Sequence, residues 1–137
     1  MNALLLDDEQ PVLESLKGKL GLFCPEVTVV AQCNTVDEAL NVLTHESIDI
    51  LFLDVNLNGE SGFDLIEKWS GDDLPSLIFT TAFDEFAVQA IKHAALDYLL
   101  KPIDAEELVK AVRKAGQKVS RDLQDVVSEA VKGAPKK

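Results

Sequence analysis

Three carboxylates and one lysine stand where short apolar runs end. Asp7 and Asp8 follow Ala3-Leu4-Leu5-Leu6, Asp54 closes Ile48-Asp49-Ile50-Leu51-Phe52-Leu53, and Lys101 follows Leu96-Asp97-Tyr98-Leu99-Leu100. Apolar runs of this length, bounded by turn residues, read as buried parallel strands, and open α/β sheets place their ligands at the carboxyl ends of such strands. If the three runs share one sheet, the four charged groups share one cleft. Carboxylates held together repel one another and take up protons unless a hard cation neutralises them, for which Mg²⁺ with a few carboxylates and retained waters is the common solution. An aspartate beside Mg²⁺ can attack a phosphoryl group, with the metal and Lys101 offsetting charge on the equatorial oxygens. Thr81 closes a further run, Leu77-Ile78-Phe79-Thr80-Thr81, and is placed to donate its hydroxyl to a third oxygen. Taken singly, each residue reads as a solvated strand-end charge or cap. Four strand ends converging is what points to chemistry.

The elements that must hold these groups alternate strand and helix. Glu9 to Leu20 carries Pro11 where a first helical turn tolerates it, with Val12, Leu13, Leu16 and Leu20 at helical spacing. Val27 to Ala31 is short and β-branched, hence a second strand. Thr35 opens a second helix through Val36, Ala39, Leu40 and Leu43, with Glu38 as its capping-box partner. After the strand ending at Asp54, residues 55–62 read as a loop. Gly62 to Trp69 reads as the third helix, Leu77 to Thr81 as the fourth strand, Asp84 to His93 as the fourth helix and Asp104 to Lys118 as the fifth. Five such units predict a parallel sheet with helices on both faces, because right-handed crossovers return over the sheet. Val119, Leu123, Val126, Val127, Ala130 and Val131 continue the phase of Leu108, Val112 and Ala115, so the fifth helix runs on or restarts as a connector before an unstructured end.

Composition agrees with this layout. With 137 residues, 47% apolar content, 7 Gly and 5 Pro, one globular domain with a single core is expected. The net charge of -11, from 13 Lys+Arg against 24 Asp+Glu, and the lack of a basic run argue against direct nucleic acid binding by this chain. Cys24 and Cys33 have no CxxC spacing and read as plain thiols of a reducing compartment. No stretch approaches the ~18 apolar residues of a membrane span. A soluble, cytoplasmic protein away from the membrane is expected.

Leu4-Leu5-Leu6-Asp7-Asp8-Glu9, Leu53-Asp54, Gly62, Thr81-Ala82 and Tyr98-Leu99-Leu100-Lys101-Pro102 together resemble the ordered signature of response-regulator receiver domains of two-component signalling. The resemblance covers residues 1–118 and leaves 119–137 as a connector helix and tail. The stretches 79–87 and 95–102 are most similar to the LytTR-type subgroup, whose members usually carry a separate DNA-binding domain after the receiver. That output domain is expected to be absent from this chain.

What the resemblance implies is specific. The fold would be a flavodoxin-like (βα)5 doubly wound sheet of order 2-1-3-4-5. Asp54 would accept a phosphoryl group from a sensor histidine kinase. Asp8, Asp54 and the backbone carbonyl of Asn56 would bind Mg²⁺, with Asp7 supporting it through water. Lys101 would pair with the phosphoryl group, its bond to Pro102 would be cis, and Thr81 and Tyr98 would be the switch pair. The output face would comprise the fourth helix, fifth strand and fifth helix, with a homodimer through it as one outcome and Asp84, Glu85, Lys92, Asp97, Glu107 and Arg113 as its charged residues. The chain would be a phosphorylation switch for transcription, not an enzyme beyond its own phosphoryl uptake and hydrolysis. One departure stands out: Leu57-Asn58 replaces the Met-Pro frequent in the family, which leaves the loop less restricted.

Three rival readings differ in chemistry. A phosphatase of the haloacid-dehalogenase type needs a second Asp two residues after the nucleophile, and Asn56 stands there. A flavodoxin-like cofactor binder needs a Ser/Thr/Gly-rich phosphate loop where this chain has Asp7-Asp8-Glu9-Gln10-Pro11. A receiver-shaped interaction module that is never phosphorylated would not need the full set of acidic and basic groups. His45 and His93 read as surface or helix-terminal residues, since a helix-to-strand boundary separates each from the aspartate four positions on. Phe52, Phe63 and Trp69 read as packing. Phe83 and Phe86 divide evenly between packing and a partner face.

Overall fold

The computed structural model describes residues 1–71, 73–83 and 95–132, with side chains through 124. In chain order the elements are β1 (Asn2–Leu6), α1 (Gln10–Phe23), β2 (Thr28–Cys33), α2 (Val36–His45), β3 (Ile50–Asp54), β4 (Asn56–Leu57), β5 (Glu60–Ser61), α3 (Gly62–Lys68), β6 (Ser76–Thr81), β7 (Asp97–Leu100) and α4 (Ala105–Lys132). Five parallel strands form one sheet of order β2-β1-β3-β6-β7, while β4 and β5 pair as a separate antiparallel ribbon. With the ribbon set aside, this is the expected order 2-1-3-4-5 and a doubly wound, flavodoxin-like α/β fold. The helix labelled α4 is the one counted fifth from the sequence. The helix expected over 84–93 lies outside the described residues.

Strand side chains alternate between faces, so each apolar run supplies two cores. On one face Ala3, Leu5, Ile50, Phe52, Ile78 and Leu99 meet α1 through Leu13, Leu16 and Leu20, and α4 through Leu108, Ala111, Val112 and Ala115. On the other, Leu4, Leu6, Leu51, Leu53, Leu77 and Phe79 meet Val36, Ala39 and Leu43 of α2 and Phe63 and Leu65 of α3. All five residues of β3 are buried. That is why its sequence shows no alternation: both faces are covered.

Element ends depart from periodicity where tertiary pairing decides. Strand β2 runs on to Cys33 because Leu5 and Leu6 pair with Gln32 and Cys33, extending it past the β-branched stretch. Helix α1 continues beyond Leu20 to Phe23, closed by the Cys24 amide on the Leu20 carbonyl at 2.9 Å. Thr35 caps α2 as expected, its hydroxyl accepting from the Glu38 amide at 3.2 Å. Helix α3 stops at Lys68 because Trp69 adopts an extended conformation. Helix α4 starts after Asp104, whose carboxylate accepts from the Glu107 amide at 3.1 Å, and then runs without a break to Lys132. Past Val119 its described side chains leave the body of the domain, Leu123 being 65% exposed. Among the described residues no helix is long and apolar enough to cross a membrane.

Candidate functional site

The central strand β3 ends at Asp54, between β1 and β6, so its carboxyl end is flanked by the ends of both. One further ladder bond, from the Asp7 amide to the Cys33 carbonyl at 3.0 Å, fixes Asp7 at the tip of β1. On the far side the Lys101 amide donates to the Thr81 carbonyl at 2.7 Å, extending β7 by one residue, and the Lys101–Pro102 peptide is cis. From there the Lys101 ammonium reaches back to donate to Asp7 Oδ2 at 2.7 Å and to Asp54 Oδ2 at 2.9 Å. The remaining oxygens are held by backbone: Asp7 Oδ1 accepts from the Glu9 amide at 3.0 Å, and Asp54 Oδ1 from the Asn56 amide at 3.2 Å. Asp7 and Asp54 are buried, whereas Asp8 faces solvent. The structure brings Asp7, Asp8, Asp54 and Lys101 together at this edge of the sheet.

Electrostatics at this edge are unbalanced. Burial pushes the Asp54 carboxyl above its ordinary range; the hydrogen bond and charge of Lys101 pull it back, and the neighbouring charge of Asp7 raises it again. Burial alone would lower the Lys101 ammonium, but its bonds to Asp7 and Asp54 and their charges outweigh that and hold it above its usual value. Lys101 therefore stays cationic. One oxygen from each of Asp7, Asp8 and Asp54 lies within 4.8 Å of the other two. Three carboxylates against one ammonium leave two formal negative charges, the complement of one hard divalent cation, and the donor set is all oxygen. The residues fit such an ion.

The segment after Asp54 is more ordered than a loop. Asn56 pairs with Ser61 and Leu57 with Glu60, and Gly59 turns the chain at φ +79. The dipeptide Asn58-Gly59 was the signal that could have marked this hairpin. Ser61 and Asp64 form a reciprocal capping box at the start of α3. Gly62 is pressed onto Asp54: a Cβ there would lie 2.2 Å from the Asp54 carbonyl oxygen, so only glycine lets α3 start this close. Glu60 sends its carboxylate 24 residues back in sequence, accepting from the Val36 amide at 2.9 Å. Sequence periodicity carries no trace of that bond.

Thr81 and Tyr98 meet through one residue. Thr81 is fully buried and its hydroxyl accepts from the Phe83 amide at 3.3 Å, while the Tyr98 hydroxyl donates to the Phe83 carbonyl. The Tyr98 ring lies 6.5 Å from that of Phe79, which packs 4.8 Å from Phe63. Phe83 itself is 48% exposed. On the same side Lys114 of α4 pairs with Asp97 of β7 at 3.1 Å. Asp84, Glu85, Phe86, Lys92 and His93 lie outside the described residues. His45 sits in the last turn of α2 with Nδ1 2.8 Å from the Asn41 carbonyl, a helix-terminal place. Phe52 and Phe63 are buried in the two cores, Trp69 packs against the second, and Cys24 and Cys33 are buried free thiols.

Comparison with known proteins agrees with this fold. The model of the response regulator receiver domain family matches residues 3–113. A response regulatory protein of Shewanella oneidensis is 40% identical over 114 residues, 83% of this chain and 48% of that protein. The sensory transduction protein LytT of Enterococcus faecalis is 36% identical over 130 residues, 94% of this chain and 53% of that protein. The LytR protein of Staphylococcus haemolyticus is 36% identical over 135 residues, covering 94% and 51%. The chain thus spans about half the length of the curated relatives it matches. Among solved structures, the response regulatory domain of protein mrkE from Klebsiella pneumoniae superposes with a TM-score of 0.79 at 25% identity, covering 88% of this chain and 99% of that one. A receiver domain from Clostridium thermocellum gives 0.75 at 27% identity, covering 87% and 96%. Receiver domains act as phosphorylation switches and not as classical enzymes. The chain belongs to the response regulator receiver domain family of two-component signal transduction, alongside regulators of the LytT/LytR type.

Proposed function

We propose that Asp54 is the phosphoacceptor and that a sensor histidine kinase supplies the phosphoryl group. The observation that carries this is the Lys101 ammonium bridging Asp7 and Asp54 at the carboxyl edge of the sheet, with the second Asp54 oxygen on the Asn56 amide. An Asp54 oxygen attacks phosphorus, the P–N bond of the donor phosphohistidine breaks, and the imidazole leaves with the electron pair. Lys101, fixed at the site before the donor arrives, offsets charge on the transferred oxygens. Asp8, Asp54 and the backbone carbonyl of Asn56 would hold Mg²⁺, with Asp7 acting through water. When bound, that ion supplies Lewis-acid stabilisation of the phosphoryl oxygens.

The switch follows from the same contacts. Thr81 reaches a new phosphoryl oxygen by giving up the Phe83 amide, and Phe83 also holds Tyr98, so the exchange at Thr81 alters what Tyr98 binds. The surface around β7 and α4 changes with it. Homodimerisation there is the relay, with Asp97 and Lys114 on that face. By resemblance to the LytTR-type subgroup, the output is transcription control in the cytoplasm through a LytTR-type DNA-binding domain. Intact mass after incubation with Mg²⁺ and acetyl phosphate tests the core of the reading. Wild type should gain one phosphoryl group and Asp54→Asn none; equal gain by Asp54→Asn would overturn the assignment.

A further inference from the structure

The geometry points to Glu60 as a positioning residue: its carboxylate, anchored on the first amide of α2, holds the β4–β5 hairpin so that Asn56 stays beside Asp54 for cation binding. This rests on the reading of the site given above. The hairpin follows Asp54 after a single residue, and its two strands are two residues each. A ribbon that short has little stability of its own. Asn58 leaves its backbone without the restraint a proline would give. Buried Leu57 anchors the hairpin from within, and Glu60 anchors it from outside.

The outer anchor is well matched. Val36 is the first residue of α2, and amides in a first helical turn have no partner within the helix. Thr35 takes the Glu38 amide and leaves the Val36 amide to Glu60. A carboxylate at a helix N-terminus also meets the positive end of the helix dipole, and hydrogen bonds to ionised acceptors are the stronger kind. Helix α2 is itself fixed by Val36, Ala39 and Leu43 in the second core. Through Glu60 that rigidity passes to β5, through the Asn56–Ser61 and Leu57–Glu60 pairs to β4, and through the Asn56 amide to the Asp54 carboxylate. Glu60 touches no reacting atom.

The full chain tests this without a phosphodonor, in Glu60→Ala, Glu60→Gln and Thr35→Ala. Amide hydrogen exchange at Asn56, read by NMR in the metal-free protein, should speed up at least about tenfold in Glu60→Ala, the size expected for one lost charge-assisted hydrogen bond. Mg²⁺ affinity by calorimetry should weaken by about tenfold, as for other outer supports of metal ligands. Glu60→Gln keeps an acceptor and should stay within about threefold of wild type on both readouts. Thr35→Ala weakens the same helix end and should move neither. Unchanged exchange and affinity in Glu60→Ala, or an equal loss in Thr35→Ala, would overturn the proposal. Should Glu60→Ala not fold, Glu60→Asp, one methylene short of Val36, carries the same test. Phosphoryl uptake by wild type is a separate measurement, so its failure would strike the phosphoacceptor reading and leave the exchange result standing.

Discussion

Replacing Lys101 by Met removes the one cation that, among the described residues, pairs with Asp7 and Asp54. Its ammonium lies 2.7 Å from Asp7 and 2.9 Å from Asp54, with side-chain exposures of 16%, 4% and 9% for Lys101, Asp7 and Asp54. At an effective dielectric constant of about 20, each contact corresponds to about 6 kcal/mol of attraction, most of it offset by desolvation of the partners. Removing one side of a buried pair leaves the other side uncompensated, which costs about 3–5 kcal/mol. Here two carboxylates lose their partner and then face each other, so the upper part of that range is expected in Mg²⁺-free buffer. For a domain whose whole stability is of order 5–15 kcal/mol, the variant remains foldable but marginal. Urea unfolding followed by circular dichroism gives the difference through the transition midpoint. Two rescues follow from the same physics. Saturating Mg²⁺ should stabilise Lys101→Met more than wild type, since the cluster has gained a formal negative charge. Adding Asp54→Asn to Lys101→Met should restore part of the loss, because the repulsion then falls on one carboxylate fewer. A loss below about 1 kcal/mol, the scale of an exposed ion pair, would refute the view that this triad is a desolvated, strongly coupled unit.

Two other outcomes follow. Burial foremost, with the charge of Glu38, pushes the Cys33 thiol up to about 11 from an ordinary 9.0. Its folded-state pKa is raised, so its contribution to stability is whole below the ordinary value and is lost as pH rises toward the folded one. Native protein should therefore label slowly with iodoacetamide at about pH 8, and stability should decline between 9.0 and about 11 with a slope that Cys33→Ala flattens; an unchanged slope would count against the burial argument. Tyr98→Phe keeps the ring against Phe79 but removes the hydroxyl bond to the Phe83 carbonyl, at a cost of about 0.5–1.5 kcal/mol. Phosphoryl uptake should persist while self-association induced by beryllofluoride, read by sedimentation, is lost; equal association in wild type and variant would separate Tyr98 from the relay.

Much of this architecture was open to reading from the chain because its signals are local. Uninterrupted apolar runs at 3–6, 50–53 and 77–79 mark strands covered on both faces, and Thr35 with Glu38 marks a helix start within four residues. The positions of Asp7, Asp54 and Lys101 followed once the strands were known, because residues that end parallel strands of one sheet share an edge. Boundaries were less legible. Gln32 and Cys33 join β2 only because β1 lies alongside, and Trp69 leaves α3 although its spacing continues the helical pattern.

By itself the sequence determined which chemistry-bearing residues exist, on which strand each stands and that all face one edge, since side-chain periodicity and strand termini are properties of short segments. Only the tertiary structure decided how those groups are paired. That Lys101 divides itself between Asp7 and Asp54, that Gly62 touches the Asp54 carbonyl, that Phe83 stands between Thr81 and Tyr98, and that Glu60 is anchored on Val36 are contacts set by packing and register. The Lys101 and Glu60 bonds close over 94, 47 and 24 residues, distances at which no local pattern is imprinted on the chain, because the partner is chosen by the folded sheet and not by the neighbours in sequence.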